Sequence, residues 1–586
     1  MTRRLMNSFC ALLIGLALVS ALPRDAGALA LNEEGTMNLT VRAYANVRIG
    51  TMAKQSVRPG NQPPSCAGSP PDALQTCSFG GTFPYSGAGN VIQNRYFLDA
   101  RINHDLLDWW SDVLPKNVTT FKYNLTYRGE YEGIYDFGPS AYKNSLESRQ
   151  ELEEALRQSP TFQQAQLDSI DFSLGRQRRR LRNVASYRNR LFQAFVDWEQ
   201  GPVFVRFGRQ NLVWGETDVF RLLDNINPID NGFGGFFIDL DERRVPLNML
   251  RGSLSLGSLG PFEQAFLEGY AAMDNTVAFV PGAPRGSPWA PPLGPPTGQT
   301  LTILEAPPTG LPGLRGGGRF VFNFEDFTFT TASYVTMLDT QAVRFRSARP
   351  TDPGFVAGVS VIGAEQYAPR VWVNGASMTT AFSDLQSVLR AEFAYFRDEA
   401  LFRGPTETAF PGKGTTPQYI TEFLGPVAGG TFDTVQRKNT MGWSVGWDMN
   451  QFVRFINPNQ SLFFSTQFFW RHIFDYDPLT ALPVPEPNNQ LRVVPVPQDQ
   501  FLQTLLINTT YNVAAPFTDI TMQAIPGFQM FYDWQGMLLF QPNVRFIRDP
   551  WRFIVDYTTI NSGVFRSQIG LVRDRSNVRM QIEYVL

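Results

Sequence analysis

The residues best equipped for chemistry in this 586-residue sequence lie together between positions 206 and 246. Arg206, Arg209, Gln210, Trp214, Glu216 and Asp218 come first, Asn225, Asn227 and Asp230 follow, and Arg243-Arg244-Val245-Pro246 closes the stretch. Guanidinium, carboxylate, amide and indole groups at this spacing offer charge, hydrogen bonds and an aromatic surface to a solute. They do not make a catalytic set. General-base work usually falls to His, and the chain has only His104 and His472, which the strand pattern below assigns to opposite rims. There is no nucleophile elbow, no paired metal-binding histidines and no phosphate loop; Arg315 to Gly318 forms a Gly-rich turn without the Lys-Ser/Thr that a nucleotide needs. Asp239, Asp241 and Glu242 lack the Gly-spaced loop of a calcium site, so solvation is their expected role. Haem and iron–sulfur signatures are missing from the sequence. The expectation is a binding or transport site with no catalytic residue, no metal and no cofactor.

Such a cluster needs a wall, and the sequence supplies one in strands. From about residue 36 to Leu586 the chain repeats amphipathic segments of about ten positions, as strands with one face on lipid and one on a lumen do. Leu39, Val41, Ala43, Ala45 and Val47 alternate with Thr40, Arg42, Tyr44 and Asn46; Phe121, Tyr123, Leu125 and Tyr127 alternate with Lys122, Asn124, Thr126 and Arg128. Near the end, Val578, Met580, Ile582, Tyr584 and Leu586 alternate with Arg579, Gln581 and Glu583. A soluble sandwich shows the same period, but its connections have no reason to differ by side. Here Gly201-Pro202, Ser258 to Pro261, Glu325-Asp326, Ser383 to Leu385 and Asp549-Pro550 are short, while 274–317, 339–368, 399–437 and 474–497 between them are long. Short inner turns and long outer loops in alternation mark an outer-membrane barrel. Segments 104–117 and 450–460 are long for inner turns, and 531–535 is short for an outer loop. The pattern predicts an all-β, transmembrane antiparallel β-barrel of about 18 strands, or about 16 if one weak pair is loop, with both ends of the mature chain in the periplasm.

A barrel of that width encloses an aqueous channel unless something fills it. Segments 131–187 and 214–246 are expected to fold inward. The first carries a short helical insertion near 143–183, with Asn144 as cap and Glu147 three residues on. Its basic end, Arg176, Arg178, Arg179, Arg180 and Arg182, is expected to be a solvated helix end, with lipopolysaccharide phosphates as the other candidate contact. Residues 1–30 have the form of a cleaved signal peptide, with Arg3 and Arg4, an apolar run from Cys10 to Val19, and Ala28-Leu29-Ala30 as the small-x-small site. That leaves 31–586 as a single barrel. Cys66 and Cys77, an even pair in an exported chain, are expected to form one disulfide. A formal net charge of −2 offers nothing to nucleic acid. The expected location is the outer membrane of a Gram-negative bacterium.

The phase of one strand makes a sharper prediction. Val203, Val205 and Phe207 face lipid, so continued alternation would put Arg209 in hydrocarbon, at a cost of about 2–4 kcal/mol at the midplane. A break in register at Gly208 would instead turn Arg209, Gln210, Trp214, Glu216 and Asp218 into the lumen. There they form either a constriction for an amphipathic solute or a structural plug with Arg209 paired to Glu216 or Asp218.

Gly208-Arg209-Gln210 followed by Trp214-Gly215-Glu216, then Asn225-Ile226-Asn227-Pro228-Ile229-Asp230 and Arg244-Val245-Pro246, resembles the proteobacterial outer-membrane family known as domain of unknown function 1302. The basic turn Arg573-Asp574-Arg575 before a last strand carrying Tyr584 is similar to that family's end, although Leu586 stands where such barrels more often finish in Phe. The resemblance implies association with periplasmic lipid-binding-like proteins and inner-membrane exporters of the resistance-nodulation-division type. The expected function is an outer-membrane channel or transporter for hydrophobic or amphipathic small molecules or lipids, partly occluded by inward loops. The alternative is a non-conducting scaffold or sheath that docks another envelope component. Expected partners are outer-membrane lipids and lipopolysaccharide, a hydrophobic small-molecule solute and, through the resemblance, the periplasmic protein and the exporter.

Overall fold

The computed structural model describes residues 28–51, 88–138, 182–273, 289, 300–304, 313–338, 342–347, 349–351, 362–402, 431–433, 435–477, 480–485, 491–514, 521–562 and 575–586. The signal-peptide run, Cys66, Cys77 and nearly all of the helical insertion fall outside these residues; Arg182 to Ser186 form a single π-type turn at its end.

The barrel strands are β1 (Met37–Gly50), β2 (Val91–Asp105), β3 (Val118–Glu132), β4 (Tyr187–Gln200), β5 (Val203–Gln210) and β6 (Leu247–Leu259). Next come β7 (Phe262–Ala272), β8 (Arg315–Phe324), β9 (Phe327–Met337), β10 (Arg370–Phe382), β11 (Ser387–Phe402) and β12 (Val435–Gln451). The last are β13 (Leu462–Ile473), β14 (Asp499–Thr509, continued by Tyr511–Ala514), β15 (Thr521–Asp533), β16 (Met537–Arg548), β17 (Trp551–Ser562) and β18 (Asn577–Val585). Each pairs antiparallel with the next, and β18 closes on β1 from Asn577↔Gly50 to Val585↔Arg42. The 18 strands are those the alternation predicts; the short strand Leu29–Ala30 lies beside Asn38 and Leu39 at the start of β1. Arg315 to Gly318, expected as a turn, instead begins β8. Added Cβ atoms at Gly316 and Gly317 would lie 2.5 and 2.2 Å from backbone oxygens of Tyr270 and Ser333, so glycine there admits close strand approach rather than a bend.

Alternation sets the two faces. Leu125, Tyr127, Val196, Leu250, Trp447, Phe553 and Met580 are exposed on the outside, while Asn46, Arg48, Asn124, Arg128, Ser444 and Asp556 are buried within. A closed sheet satisfies its own backbone and leaves no edge in lipid, and its apolar exterior matches hydrocarbon. The chain is therefore an outer-membrane β-barrel of a Gram-negative bacterium. Outside the wall, Thr300–Leu304, Ala342–Ser347, Ile362–Tyr367 and Thr431–Asp433 form a four-stranded sheet in the long connections.

Candidate functional site

Strand β5 has only 8 residues, and beyond Gln210 the chain leaves the wall, returning at Leu247. Asn227 draws the two ends of the excursion together. Its Oδ1 accepts the Leu212 N–H at 2.8 Å and its Nδ2 donates to the Val245 carbonyl at 2.9 Å. Backbone bonds from Asp230 to Arg243 and from Val245 to Pro228, both 2.8 Å, complete a hairpin-like neck.

The 211–246 segment meets two walls by different means. Leu212, Trp214, Leu222, Leu223 and Ile226 join the inward residues of β6, β7, β9, β10 and β11, among them Met249, Tyr270, Tyr334, Val373 and Phe396, in one apolar cluster. Trp214, 1 % exposed, packs edge-on to Tyr270 and Tyr334 and donates its indole N–H to Glu268 at 2.6 Å. Polar contacts fix this end. Glu392 accepts the backbone N–H of Glu216 at 2.5 Å and of Leu223 at 2.7 Å, while Arg390 bonds the Glu216 carbonyl at 2.6 Å and bridges Asp218 and Asp448, each at 2.8 Å. Gln467 adds a bond to Asp218 at 3.0 Å.

The opposite end is ionic. Glu242, buried, receives Arg42 and Arg95 at 2.8 and 2.9 Å and the Tyr44 hydroxyl at 2.7 Å. Its backbone carbonyl takes Arg128 at 2.8 Å. Arg188 pairs with Asp230 and with Glu130, and Arg48 donates to the Phe237 carbonyl at 3.0 Å. Burial alone would push the Glu242 carboxyl up, but Arg95 and Arg42 hold it below its ordinary value. Asp224 goes the other way: burial raises it despite its pair with Arg244 at 2.5 Å.

These positions revise several expectations. The ladder passes through Gly208 without a change of register, since Phe207, Gly208 and Arg209 pair with Val196, Phe195 and Ala194 on one side and Leu250, Met249 and Asn248 on the other. Arg209 therefore keeps the outward phase of Phe207, and only Arg206 and Gln210 point in. The Arg209 guanidinium is not bare in lipid: its Nε donates at 3.0 Å to the carbonyl of Phe192, the extra residue of a bulge in the β3–β4 ladder. Gly208 is needed for close approach: at a φ of +127°, its Cβ would lie 2.3 Å from the Ala194 carbonyl oxygen. Asp218 is held by Arg390, and Glu216 through its backbone, in place of the expected pairing to Arg209. Gln210 is fully buried and donates to the Met249 carbonyl at 3.2 Å; Asn225 donates to the Leu222 carbonyl at 2.7 Å. Trp214 is buried among Tyr270, Tyr334 and Glu268. Asp239 and Asp241 are exposed while Glu242 is buried, and among the described residues no group of three potential metal ligands converges.

Strand phase sets Arg390 and Glu392 among the lumen-facing charges, but nothing in the sequence pairs them or Gln467 with this segment: Glu392 lies 169 positions from Leu223 and Gln467 249 from Asp218. Beneath the segment, toward the inner turns, lies a cavity of about 390 Å³ bordered by Arg101, Lys122, Phe195, Asp197, Arg206 and Asn211. Arg206 grips Asp197 through two bonds of 2.6 and 2.9 Å, leaving Arg101 and Lys122 as the cavity's surplus positive charge. The two histidines sit apart: His104 beside Tyr123 near the inner turns, and His472 on Asp499 at 2.8 Å near the outer loops.

A family model described as "Protein of unknown function (DUF1302)" matches residues 8–283 and 288–586. No curated protein matches the chain. Solved structures similar to it include Salmonella typhi OmpF in complex with daunomycin, at 9% identity over 94% of this chain and 97% of that one, TM-score 0.35. Pseudomonas putida OprB gives 10% identity over 94% of each chain, TM-score 0.37. Acinetobacter baumannii OccAB3 gives 7% over 94% and 98%, TM-score 0.38.

Proposed function

The chain belongs to the DUF1302 family, and on that premise we propose that it is an outer-membrane channel for small amphipathic or hydrophobic molecules, gated by the 211–246 segment. The observation that carries this reading is the segment's attachment, an apolar cluster with polar bonds on one wall and buried ion pairs on the other, above a cavity of about 390 Å³. That volume lies within the range of small-molecule sites. The passage runs beside the segment, where Val213, Asp218 and Val219 are exposed, and into the cavity, whose lining includes Arg101, Lys122 and Arg206, the last lying over the Phe195 ring at 4.0 Å. Charge beside an aromatic face suits a molecule with an anionic head and an apolar body. Of the residues expected to contact solute, Arg206 and Asp218 keep that role; Gln210, Trp214, Asn225, Asn227 and Asp230 build the gate, and Arg209 braces the wall.

The same sealing favours a second reading, a sheath that docks an envelope component and conducts little. Planar-bilayer conductance separates the two. The channel reading expects rare openings in the wild type and large, sustained openings when 211–246 is replaced by a short Gly-Ser linker; silence in both would sink it.

A further inference from the structure

The wall has a weak place of its own. Of the ladders between neighbouring barrel strands, two omit pairs while keeping register among the described residues, and each omission falls at a proline. Between β14 and β15 the pairing stops at Asn508↔Gly527 and resumes at Tyr511↔Ala524, skipping Pro526. Between β16 and β17 it stops at Phe540↔Thr559 and resumes at Asn543↔Asp556, skipping Pro542. Proline cannot donate to a ladder, which is why it is rarely found in central strands.

The two gaps are related. The β15–β16 ladder runs unbroken from Gln523↔Ile547 to Asp533↔Met537, and in it Pro542 faces Phe528 while Pro526 faces Val544. The prolines thus stand two rungs apart, one on each outer edge of the same hairpin. At one edge the Thr510 carbonyl is taken by the Asn457 side chain at 2.8 Å instead of by β15; at the other, the buried Thr558 hydroxyl has no hydrogen-bond partner among the described residues. The hairpin's own outer connection is only the turn Trp534 to Gly536. Within the lumen, Phe220 of the inward segment packs at a tilt against Phe531 of β15, ring centroids 5.0 Å apart, and edge-on to Phe469 of β13 at 5.2 Å.

We propose that the β15–β16 hairpin is a lateral flap, through which an apolar or amphipathic solute passes between lumen and bilayer. The inference rests on the channel reading above and adds a route to it. Opening a seam with missing bonds exposes fewer unpaired backbone groups to lipid than opening any intact one. Phe220 couples the gate to the flap, because withdrawing the segment removes the ring that backs Phe531.

Cysteine staples across register pairs test this in the full-length chain carrying C66S and C77S: L506C/Q529C for the β14–β15 seam, L539C/I560C for β16–β17, and M530C/F540C inside the hairpin as control. The readout is protein-dependent exchange of N-phenylnaphthylamine across the outer membrane of intact cells, with and without dithiothreitol. Stapling both seams should slow dye exchange several-fold, reductant should restore it, and the control should match the parent. Conductance after removal of 211–246 should be the same with and without staples. Dye exchange indifferent to the double staple overturns the flap and leaves the channel standing. No protein-dependent exchange in the parent, together with no conductance after removing 211–246, overturns the channel reading and the flap with it. Pro526→Ala with Pro542→Ala, which restores both N–H groups, gives a second measurement: slower exchange supports the flap, and unchanged exchange counts against it.

Discussion

At the scale of single residues the decisive group is Glu242, because two arginines and a tyrosine from β1 and β2 converge on one buried carboxylate. Removing one partner of a buried pair strands the other, at about 3–5 kcal/mol. Glu242→Ala should therefore release the ionic end of the gate, leaving Arg42 with Glu583 and Arg95 with Glu130. Limited proteolysis within 211–246 and single-channel records should both show it, with little change in the gel migration of the folded barrel. The carboxyl also sets a pH dependence. Its folded value lies below the ordinary 4.5, so the stability it contributes is complete above that value and is lost as pH falls through the depressed one. Openings should become more frequent in acid below about pH 4.5, and Glu242→Gln should abolish that part of the profile. An acid response unchanged in Glu242→Gln would assign it to another group.

Elements show which parts of this architecture the sequence could reveal. Strand phase is local, so alternation along β1, β3 and β18 placed Arg42, Lys122, Asn124 and Arg128 inside before any pairing was known. The short and long connections gave strand number and sidedness for the same reason. Partners across the lumen are another matter: Glu392 lies 176 positions from the Glu216 N–H it accepts, and nothing in the spacing of either encodes the other. Gly208 shows a local argument failing for a physical cause, since the bulge at Phe192 that accommodates Arg209 lies on a neighbouring strand. Two substitutions test this level. Gly208→Val must put a branched side chain where a Cβ already meets the Ala194 carbonyl oxygen, and should lower the heat-modification temperature more than Gly257→Val at the bulge in β6, where φ is also positive but a Cβ meets open space. Glu392→Ala strands two N–H groups at about 1–3 kcal/mol each, so it should loosen the gate more than Glu216→Ala, whose side chain is not the group held.

Over the whole molecule the gate is fixed at both chain ends by the neck at Asn227 and across the lumen at two unlike sites. Acid acts on the ionic site. The apolar site responds to lost contact area, and truncating a buried tryptophan costs about 3–5 kcal/mol. Because the buried pairs are poorly screened, added salt should disturb neither much. A segment tethered in this way stays in the lumen while either site holds. Glu242→Ala alone and Trp214→Ala alone should each give brief, partial openings, because the remaining site draws the segment back. The double variant should open for long periods and approach the conductance of the chain lacking 211–246, well beyond the sum of the singles. The excess in such a double-mutant cycle measures shared dependence on one mobile element. Strictly additive open times would mean that the two sites hold independent pieces, and that 211–246 does not move as one gate.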